Sequence, residues 1–140
     1  MGQARERFRR ELDEAVRDFR AGDLDAAFSR LERAHILGQL RFVDHAAAHF
    51  WMLRVGLARR DGREVCGQIL RLVATMPSHL IGWLPIGNTG GANVSPVKPM
   101  PIPPDLAPYF QGFSLRRQIA RQALILAGAA VLVVALLRQA

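Results

Sequence analysis

Four consecutive segments between residues 5 and 77 place their apolar side chains at intervals of three and four, the spacing of an amphipathic α-helix. Short stretches that contain glycine, aspartate or proline separate these segments. Connections this short make successive helices antiparallel neighbours, so the pattern predicts two helical hairpins. Because half of all residues are apolar, the hairpins can share one buried core. The predicted fold class is therefore all-α.

The ends of these helices are predicted from their capping residues. The first helix is expected over residues 5–21, and the second between an N-cap at Asp23 and a C-cap glycine at Gly38. The third helix is expected to begin near the N-cap Asp44 and to stop at the Asp-Gly pair that follows it. The fourth is expected to end before Pro77, because proline interrupts the hydrogen bonds of a helix.

The second and fourth helices resemble each other. Leu31 aligns with Leu70 and Ala34 with Val73, at a constant offset of 39 residues. The row Ala27, Leu31, Ala34 is also similar to the small, large, small spacing in the second helix of a tetratricopeptide repeat. Two repeats are fewer than the three or so that a free-standing solenoid needs, so we expect a compact four-helix unit with tetratricopeptide-like hairpins.

The composition changes after the fourth helix. Residues 85–108 are too rich in glycine and proline for a helix or a central strand, yet they hold several apolar side chains. Long segments of this kind tend to be functional or disordered, and the apolar residues favour a loop packed over the helices. The predicted organisation is a helical domain at 5–77, a packed loop at 78–112 and a C-terminal membrane segment at 113–140.

Residues 123–137 form an apolar run without a charged side chain. Fifteen helical residues reach about 22 Å, short of the roughly 30 Å hydrocarbon core of a bilayer. A helix over 119–137 reaches about 28 Å if Arg121 extends its guanidinium to the headgroups. This predicts a C-terminal transmembrane helix with the membrane as a partner. The alternative is a buried core helix, the commoner fate of shorter apolar runs.

The charges near both ends indicate where the helical domain lies. Three arginines precede the apolar run and one follows it, a bias that keeps the N-terminal side in the cytoplasm. The chain is charged from Arg5 onward and shows no apolar signal region near its start, so no secretory signal is predicted. We therefore expect a membrane-anchored protein with a cytoplasmic N-terminal domain.

The formal net charge of +7 raises the question of a nucleic-acid partner. In the first twenty residues, however, arginines alternate with glutamates and aspartates. This pattern is typical of a solvated helix with ion pairs along its surface and not of a continuous basic face. We therefore predict no nucleic-acid partner.

Three of the four histidines and a glutamate stand close together in the sequence. Glu32 and His35 are three residues apart on the second helix, and His45 and His49 are four apart on the third, so each pair shares a helix face. The short turn between the helices brings the two faces together. Imidazoles with one carboxylate suit zinc, iron, nickel or copper, so these four residues predict a site for one divalent transition metal ion.

The same histidines also fit a structural role. In that alternative, His35 interacts with the C-terminal dipole of its helix, and His45 and His49 form buried hydrogen bonds. Met52 continues their helix face and would favour copper if it were a ligand, although methionine at helical spacing is usually part of the core. His79 stands apart in the sequence and is expected to be structural or exposed.

A second candidate site lies in the glycine-rich loop. Its glycines can turn successive amides toward an anion, and a lysine adds positive charge. The loop lacks the sequence of a phosphate-binding P-loop, and it can also cover the histidine site or form a tight turn held by asparagine side chains. The residues concerned are Gly87, Asn88, Gly90, Gly91, Asn93 and Lys98.

Three stretches of the sequence resemble a known family. They are ERAHILGQ, an H-x-x-x-H-x-x-M pattern on the next helix, and P-x-GNTGGANVS-x-x-K-PMPIP-x-DL, and the resemblance as a whole covers roughly residues 5–107. They are similar to those of small bacterial proteins grouped as domain of unknown function 3703. The resemblance implies an all-helical fold and a pairing of the histidines with the glycine-rich loop. In a bacterium, the predicted anchor would lie in the inner membrane.

Two functions fit these observations. The first is metal handling or sensing at the membrane by a helical domain that binds one ion. The second is a docking module for a protein partner, formed by the hairpins, in which the histidines are structural. No serine or cysteine stands in a recognisable catalytic motif, so enzymatic activity is left open and is not favoured.

Overall fold

The computed structural model describes residues 2–110 and 115–137, with part of the side chains in the second range. These residues form five α-helices and no strand, which confirms the all-α prediction. The helices are α1 (Gly2–Ala21), α2 (Leu24–Gly38), α3 (Phe42–Arg59), α4 (Gly62–Ile81) and α5 (Leu115–Leu137), and a 3-10 turn lies at Ala107–Phe110.

Helices α1 to α4 pack as a bundle in which each helix contacts the next one along the chain. The bundle and the loop after it form one compact unit that ends at Tyr109, and a second unit that holds α5 begins at Phe110. The likeness to tetratricopeptide repeats stays a prediction. One cluster of fully buried apolar side chains comes from α1, α2 and α3 and consists of Ala15, Ala27, Leu31, Met52 and Val55.

The end of α2 differs from its prediction in one respect. Asp23 caps the start of the helix as expected, since its side chain accepts a backbone amide at 3.0 Å. Gly38 is not the C-cap, because α2 includes it and Gln39 follows with helical backbone angles. A Cβ on Gly38 would instead lie 3.0 Å from the backbone of Asp44. The glycine therefore allows the end of α2 to approach the start of α3 closely.

Helix α3 begins earlier than predicted. Its N-cap is Arg41, which has an extended backbone and forms no side-chain capping bond, and Phe42 is the first helical residue. Asp44 therefore lies in the first turn, where its carboxylate is 3.8 Å from the Arg41 guanidinium. A carboxylate in the first turn interacts favourably with the helix dipole without being the cap.

Helix α4 is longer than predicted, because Pro77 lies inside it and not after it. Proline removes one backbone hydrogen bond. The next two side chains supply others, since Ser78 Oγ and His79 Nδ1 donate to carbonyls four residues earlier, at 2.7 and 3.0 Å. The added turn places the His79 ring beside Phe42, with ring centroids 5.6 Å apart.

The loop between α4 and the 3-10 turn is held against the helices by buried amide side chains. Gln39 donates to the Pro85 carbonyl at 2.9 Å and accepts the Gly87 amide at 3.0 Å. Asn88 donates to two carbonyls further along the loop, each at 2.8 Å. Leu106, near the end of the loop, is fully buried. This glycine-rich and proline-rich segment is thus packed over the bundle.

The charged side chains of α1 form ion pairs, as their alternation indicated. Arg7 lies 2.7 Å from Glu11 on the same helix, and Arg33 of α2 approaches the same buried carboxylate at 2.9 Å. Further pairs within α1 are Arg10–Glu6 and Arg17–Glu14. Much of the positive charge of α1 is therefore balanced locally, and the absence of a nucleic-acid partner stays a prediction.

Helix α5 contains the segment 119–137 that was predicted to span a membrane. In the part of the chain that the structure describes, no helix combines the length and the apolar character needed to cross a bilayer. The predicted transmembrane helix is therefore not confirmed. The side chain of Arg121, on which the predicted length depended, lies outside the described residues, as do 111–114 and 138–140 of the predicted loop and membrane segment.

Candidate metal centre

The side chains of His35, His45 and His49 meet inside the bundle, with their Nε2 atoms close together. The Nε2 atoms are 2.8 Å apart for His35 and His45, and 3.1 Å apart for each of the other two pairs. All three residues are buried. Among the described residues they form the one group of three or more candidate ligand atoms within 4.8 Å of one another. Converging imidazole nitrogens of this kind are a typical donor set for a metal ion.

Two helices bring these rings together. His35 lies in the last turn of α2, and His45 and His49 follow one another on one face of α3, a single turn apart. The close approach of the two helices at Gly38 lies directly between them in the chain. The predicted convergence of the three histidines is therefore what the structure shows.

The protonation of the His35 ring is fixed by the loop. Nδ1 of His35 lies 2.8 Å from the backbone carbonyl oxygen of Asn88. A carbonyl only accepts, so Nδ1 carries the proton and Nε2 of the neutral ring carries a lone pair. Gly90 permits this contact, since it has a φ of +84° and a Cβ on it would lie 2.6 Å from the ring.

His49 is held in the same way by Gln68, which is fully buried on α4. Nδ1 of His49 lies 2.7 Å from Oε1 of Gln68. The Gln68 amide nitrogen faces two acceptors, the Glu64 carboxylate at 2.6 Å and the Gly90 carbonyl at 2.9 Å. Its Oε1 must therefore be the atom that accepts the His49 proton. This leaves a lone pair on Nε2 of His49 as well.

Two lone pairs consequently face each other across 3.1 Å, on Nε2 of His35 and of His49. A single N–H on His45 can lie between these two acceptors but leaves their mutual repulsion in place. A positive ion placed to one side of the plane of these three atoms would interact favourably with all three nitrogens. The hydrogen bonds around the site therefore leave two Nε2 lone pairs that a cation could accept.

Burial keeps the three rings neutral. Desolvation is the main cause, and it lowers the pKa of His45 to about 2 and that of His49 to about 4. Desolvation and repulsion from the other two rings also hold the pKa of His35 well below its usual value. Neutral imidazole is the form that binds metal ions, so no imidazolium proton has to be displaced at neutral pH.

His45 differs from the other two histidines, because its Nδ1 is buried and has no hydrogen-bond partner among the described residues. The neighbouring ring is that of His79, with centroids 5.2 Å apart. His79 donates its Nδ1 proton to the Thr75 carbonyl, so its own buried and unpartnered Nε2 is an acceptor. The prediction that His79 stands apart is wrong, since α4 continues past Pro77 and carries it to the cluster.

Two residues that the sequence suggested as ligands lie outside the triangle. Glu32 is not in the converging group. Desolvation raises the pKa of its carboxyl group, while a hydrogen bond from Thr89 opposes the rise. A separation of three residues turns Glu32 by about 60° from His35 around the helix. Met52 is fully buried and its sulfur lies 3.5 Å from the Gln68 amide nitrogen, so it belongs to the core.

The glycine-rich loop covers the histidine site, and two of its glycine amides donate to side chains. The backbone amides of Gly87 and Gly90 donate to the side chains of Gln39 and Asn88, at 3.0 and 2.9 Å. The predicted anion site would use free glycine amides. These two amides already have acceptors and cannot hold an anion at the same time. Of the other predicted loop residues, Gly91 is buried, whereas Asn93 and Lys98 are exposed.

The contribution of α4 was not predicted. Glu64, Gln68 and Arg71 follow one another at intervals of four and three, so they share one face of this helix. Gln68 and Glu64 support His49, and Arg71 lines a pocket of about 50 Å³ beside the three histidines. The spacing was a signal in the sequence, but polar residues at helical spacing usually form a solvated face.

Comparison with known protein families identifies the family of this chain. The chain matches the family described as Protein of unknown function (DUF3703) over residues 2–110, a range that includes the four helices, the loop and every residue of the histidine site. The curated proteins and the solved structures gave no match. The chain therefore belongs to the family Protein of unknown function (DUF3703), as its sequence resemblance indicated.

Proposed function

We propose that this protein binds one divalent transition metal ion through the Nε2 atoms of His35, His45 and His49, and that it serves in metal handling or sensing. The observation that carries the proposal is the pair of unprotonated Nε2 atoms of His35 and His49, which lie 3.1 Å apart. A purely structural cluster would place a donor against each acceptor. A metal ion removes the conflict by accepting both lone pairs.

The size of the triangle supports the proposal. An ion with bonds of about 2.0–2.1 Å separates nitrogen ligands by about 3.3 Å in a tetrahedron and by about 3.0 Å on an octahedral face. The Nε2 separations of 2.8 to 3.1 Å are close to the octahedral value and shorter than the tetrahedral one. Zinc, iron, nickel and copper all accept imidazole nitrogen, so these four remain the candidates.

The position of the loop supports a sensing role. Asn88 and Gly90 of the loop accept hydrogen bonds from His35 and from Gln68, which itself holds His49. Two of the three ligands are therefore oriented by a segment that folds over the site. Metal binding and loop docking then stabilise each other by the same free energy, as linkage requires. Because the docking of the loop would depend on the bound ion, the position of the loop could signal to a partner that the ion is present.

The test is elemental analysis of the full-length protein, purified without a histidine tag and exposed to zinc, iron(II), nickel and copper. We expect close to one metal ion per chain in the parent protein and none in a His45→Ala, His49→Ala double variant with unchanged helical circular dichroism. Glu32→Gln is the matched control and should keep its ion. A parent protein that takes up none of the four metals would contradict the proposal.

A second candidate function is favoured by the surface of α4. Leu70, Val73 and Leu80 are 70%, 74% and 80% exposed, and Met76 is exposed between them. An exposed apolar row of this kind often marks a contact surface for another protein. In this alternative the bundle is a docking module and the histidines are structural. A metal-free parent protein that is folded would favour it over the metal centre.

A further inference from the structure

The proposed metal centre borders a small pocket. Besides the three histidines, the lining of this pocket of about 50 Å³ includes Arg71, Ala74, Thr75 and Ser78 of α4 and Asn88 of the loop. A volume of this size exceeds what one water molecule requires. Three histidines occupy only three coordination positions of a metal ion. The remaining coordination positions would be within reach of the pocket, which the same histidines line.

The guanidinium of Arg71 is the positively charged group that lines this pocket. It is half-buried and donates to the backbone carbonyls of Gly67, Gly91 and Val94, at 3.2, 3.0 and 2.9 Å. These bonds use three of its five N–H groups. Carbonyl oxygens orient the guanidinium but do not neutralise its charge. Among the ion pairs of the described residues, none includes Arg71.

The acidic residue that acts on Arg71 is already engaged elsewhere. Both oxygens of Glu64 accept hydrogen bonds, one from Gln68 at 2.6 Å and one from the Ala92 amide at 2.9 Å. Three neutral imidazoles add no negative charge to a divalent ion. With the ion bound, two positive charges on the metal and one on Arg71 would lie near the carboxylate of Glu64, the acidic group that acts on Arg71. An anion in the pocket would offset this excess where water screens it poorly.

We propose that the pocket binds a small oxyanion of the carbonate type, with one oxygen on the metal ion and another accepting hydrogen bonds from Arg71. This inference rests on the metal centre proposed above. The planar fork of a guanidinium matches two oxygens of a planar anion, which favours carbonate-like and carboxylate-like groups over halides. The volume limits the anion to a few non-hydrogen atoms, as in bicarbonate or formate.

Cobalt(II) provides the measurement, because its visible absorption changes with the number and type of its ligands. The full-length protein is loaded with one equivalent of cobalt(II) and titrated with sodium bicarbonate, and then with formate. Benzoate serves as a control of the same charge that is too large for the pocket. We expect saturable changes of the cobalt bands with bicarbonate and formate and none with benzoate.

Two variants test the role of the pocket. Arg71→Met removes the charge and should weaken bicarbonate binding by at least about tenfold, the usual effect of losing a charge-assisted hydrogen bond. Because Arg71 also holds the loop, Ala74→Phe is the second variant. It fills the pocket from the helix surface without changing Arg71, and it should retain cobalt while abolishing the response to bicarbonate.

The outcomes separate the two proposals. Cobalt bands that stay unchanged with both anions would overturn the anion site and leave the metal centre intact. An equal response in the parent, Arg71→Met and Ala74→Phe proteins would also overturn it, because the anion would then bind outside the pocket. Failure to bind cobalt, together with a metal-free parent in the elemental analysis, would overturn the metal centre and the anion site with it.

Discussion

The Nε2 atoms of His35 and His49 lie 3.1 Å apart although each ring donates its only proton to another partner. The partners are the Asn88 carbonyl and the Gln68 side chain, and neither can return a proton to the ring. The short separation is thus imposed on the histidines by the loop and by α4.

Gln68→Leu should weaken metal binding by about 10- to 100-fold, the usual effect of removing the hydrogen-bond acceptor of a histidine ligand. The change leaves Nδ1 of His49 without its acceptor. The measurement is a competition titration with a chromophoric chelator. Gln39→Leu is the matched control, since Gln39 is also fully buried and bound to the loop but does not bond to a histidine. Equal losses of affinity in the two variants would contradict the prediction.

Gly90→Ala should destabilise the protein by about 2–4 kcal/mol, because the methyl group would meet the His35 ring and the backbone has a left-handed φ. Gly22→Ala separates these causes, since Gly22 has the same φ of +84° but no atom within 4 Å of its Cβ. We expect about 1–2 kcal/mol for Gly22→Ala in urea unfolding. Equal losses of unfolding free energy in the two variants would mean that the contact with the His35 ring does not destabilise Gly90→Ala.

The metal-free protein should lose stability as the pH falls from about 6.5 to about 4. In this range the histidines of the unfolded chain bind protons, whereas desolvation holds the pKa of His49 at about 4, that of His45 at about 2 and that of His35 well below its usual value. Since the unfolded state binds more protons, the free energy of unfolding decreases with falling pH. For three groups the slope approaches about 4 kcal/mol per pH unit.

Urea unfolding at several pH values, in the presence of a chelator, measures how the free energy of unfolding changes with pH. His45→Gln is the matched variant, because it keeps a polar side chain and removes one titrating group. Its slope should be smaller than that of the parent by about one third. A parent protein whose stability is the same at pH 4 and at pH 6.5 would show that the histidines are not buried as neutral rings.

His79→Phe should lower metal affinity by about tenfold, as expected when a ligand histidine loses its acceptor. The variant keeps an aromatic ring next to Phe42 and His45 but removes the unpartnered Nε2. We expect one water molecule to connect this atom with Nδ1 of His45. The competition titration measures the change, and an unaltered affinity would show that His45 is oriented by packing alone.

The sequence predicted the bundle and the meeting of the three histidines for a simple reason. His45 and His49 share a face of α3, His35 ends α2, and a short turn leaves few ways to arrange two helices. Helix ends were less certain, as Gly38 and Pro77 show. Each residue has a strong local preference, yet the packing of α2 on α3 and the side-chain bonds of the last turn of α4 decided the outcome.

The supporting residues were harder to predict. Gln68 and Arg71 are separated from the histidines by the whole of α3 or by its second half, and a sequence does not show which face of α4 meets them. The acceptor for His35 is the backbone carbonyl of Asn88. Every residue has such a carbonyl, so a sequence does not indicate which one a side chain will contact. Glu32 was chosen for its residue type and spacing, but its carboxyl group lies beside Thr89 and not at the triangle.

The order of residues along the chain also implies an order of events during synthesis. Helices α1 to α4 leave the ribosome before Asn88 and Gly90, so the histidines can approach one another while the site still lacks its cover. If the proposed site binds an ion, an ion that arrives at this stage would meet open imidazoles, and the loop would enclose it afterwards. Loading during translation would then be fast, whereas exchange in the finished protein would depend on how often the loop opens.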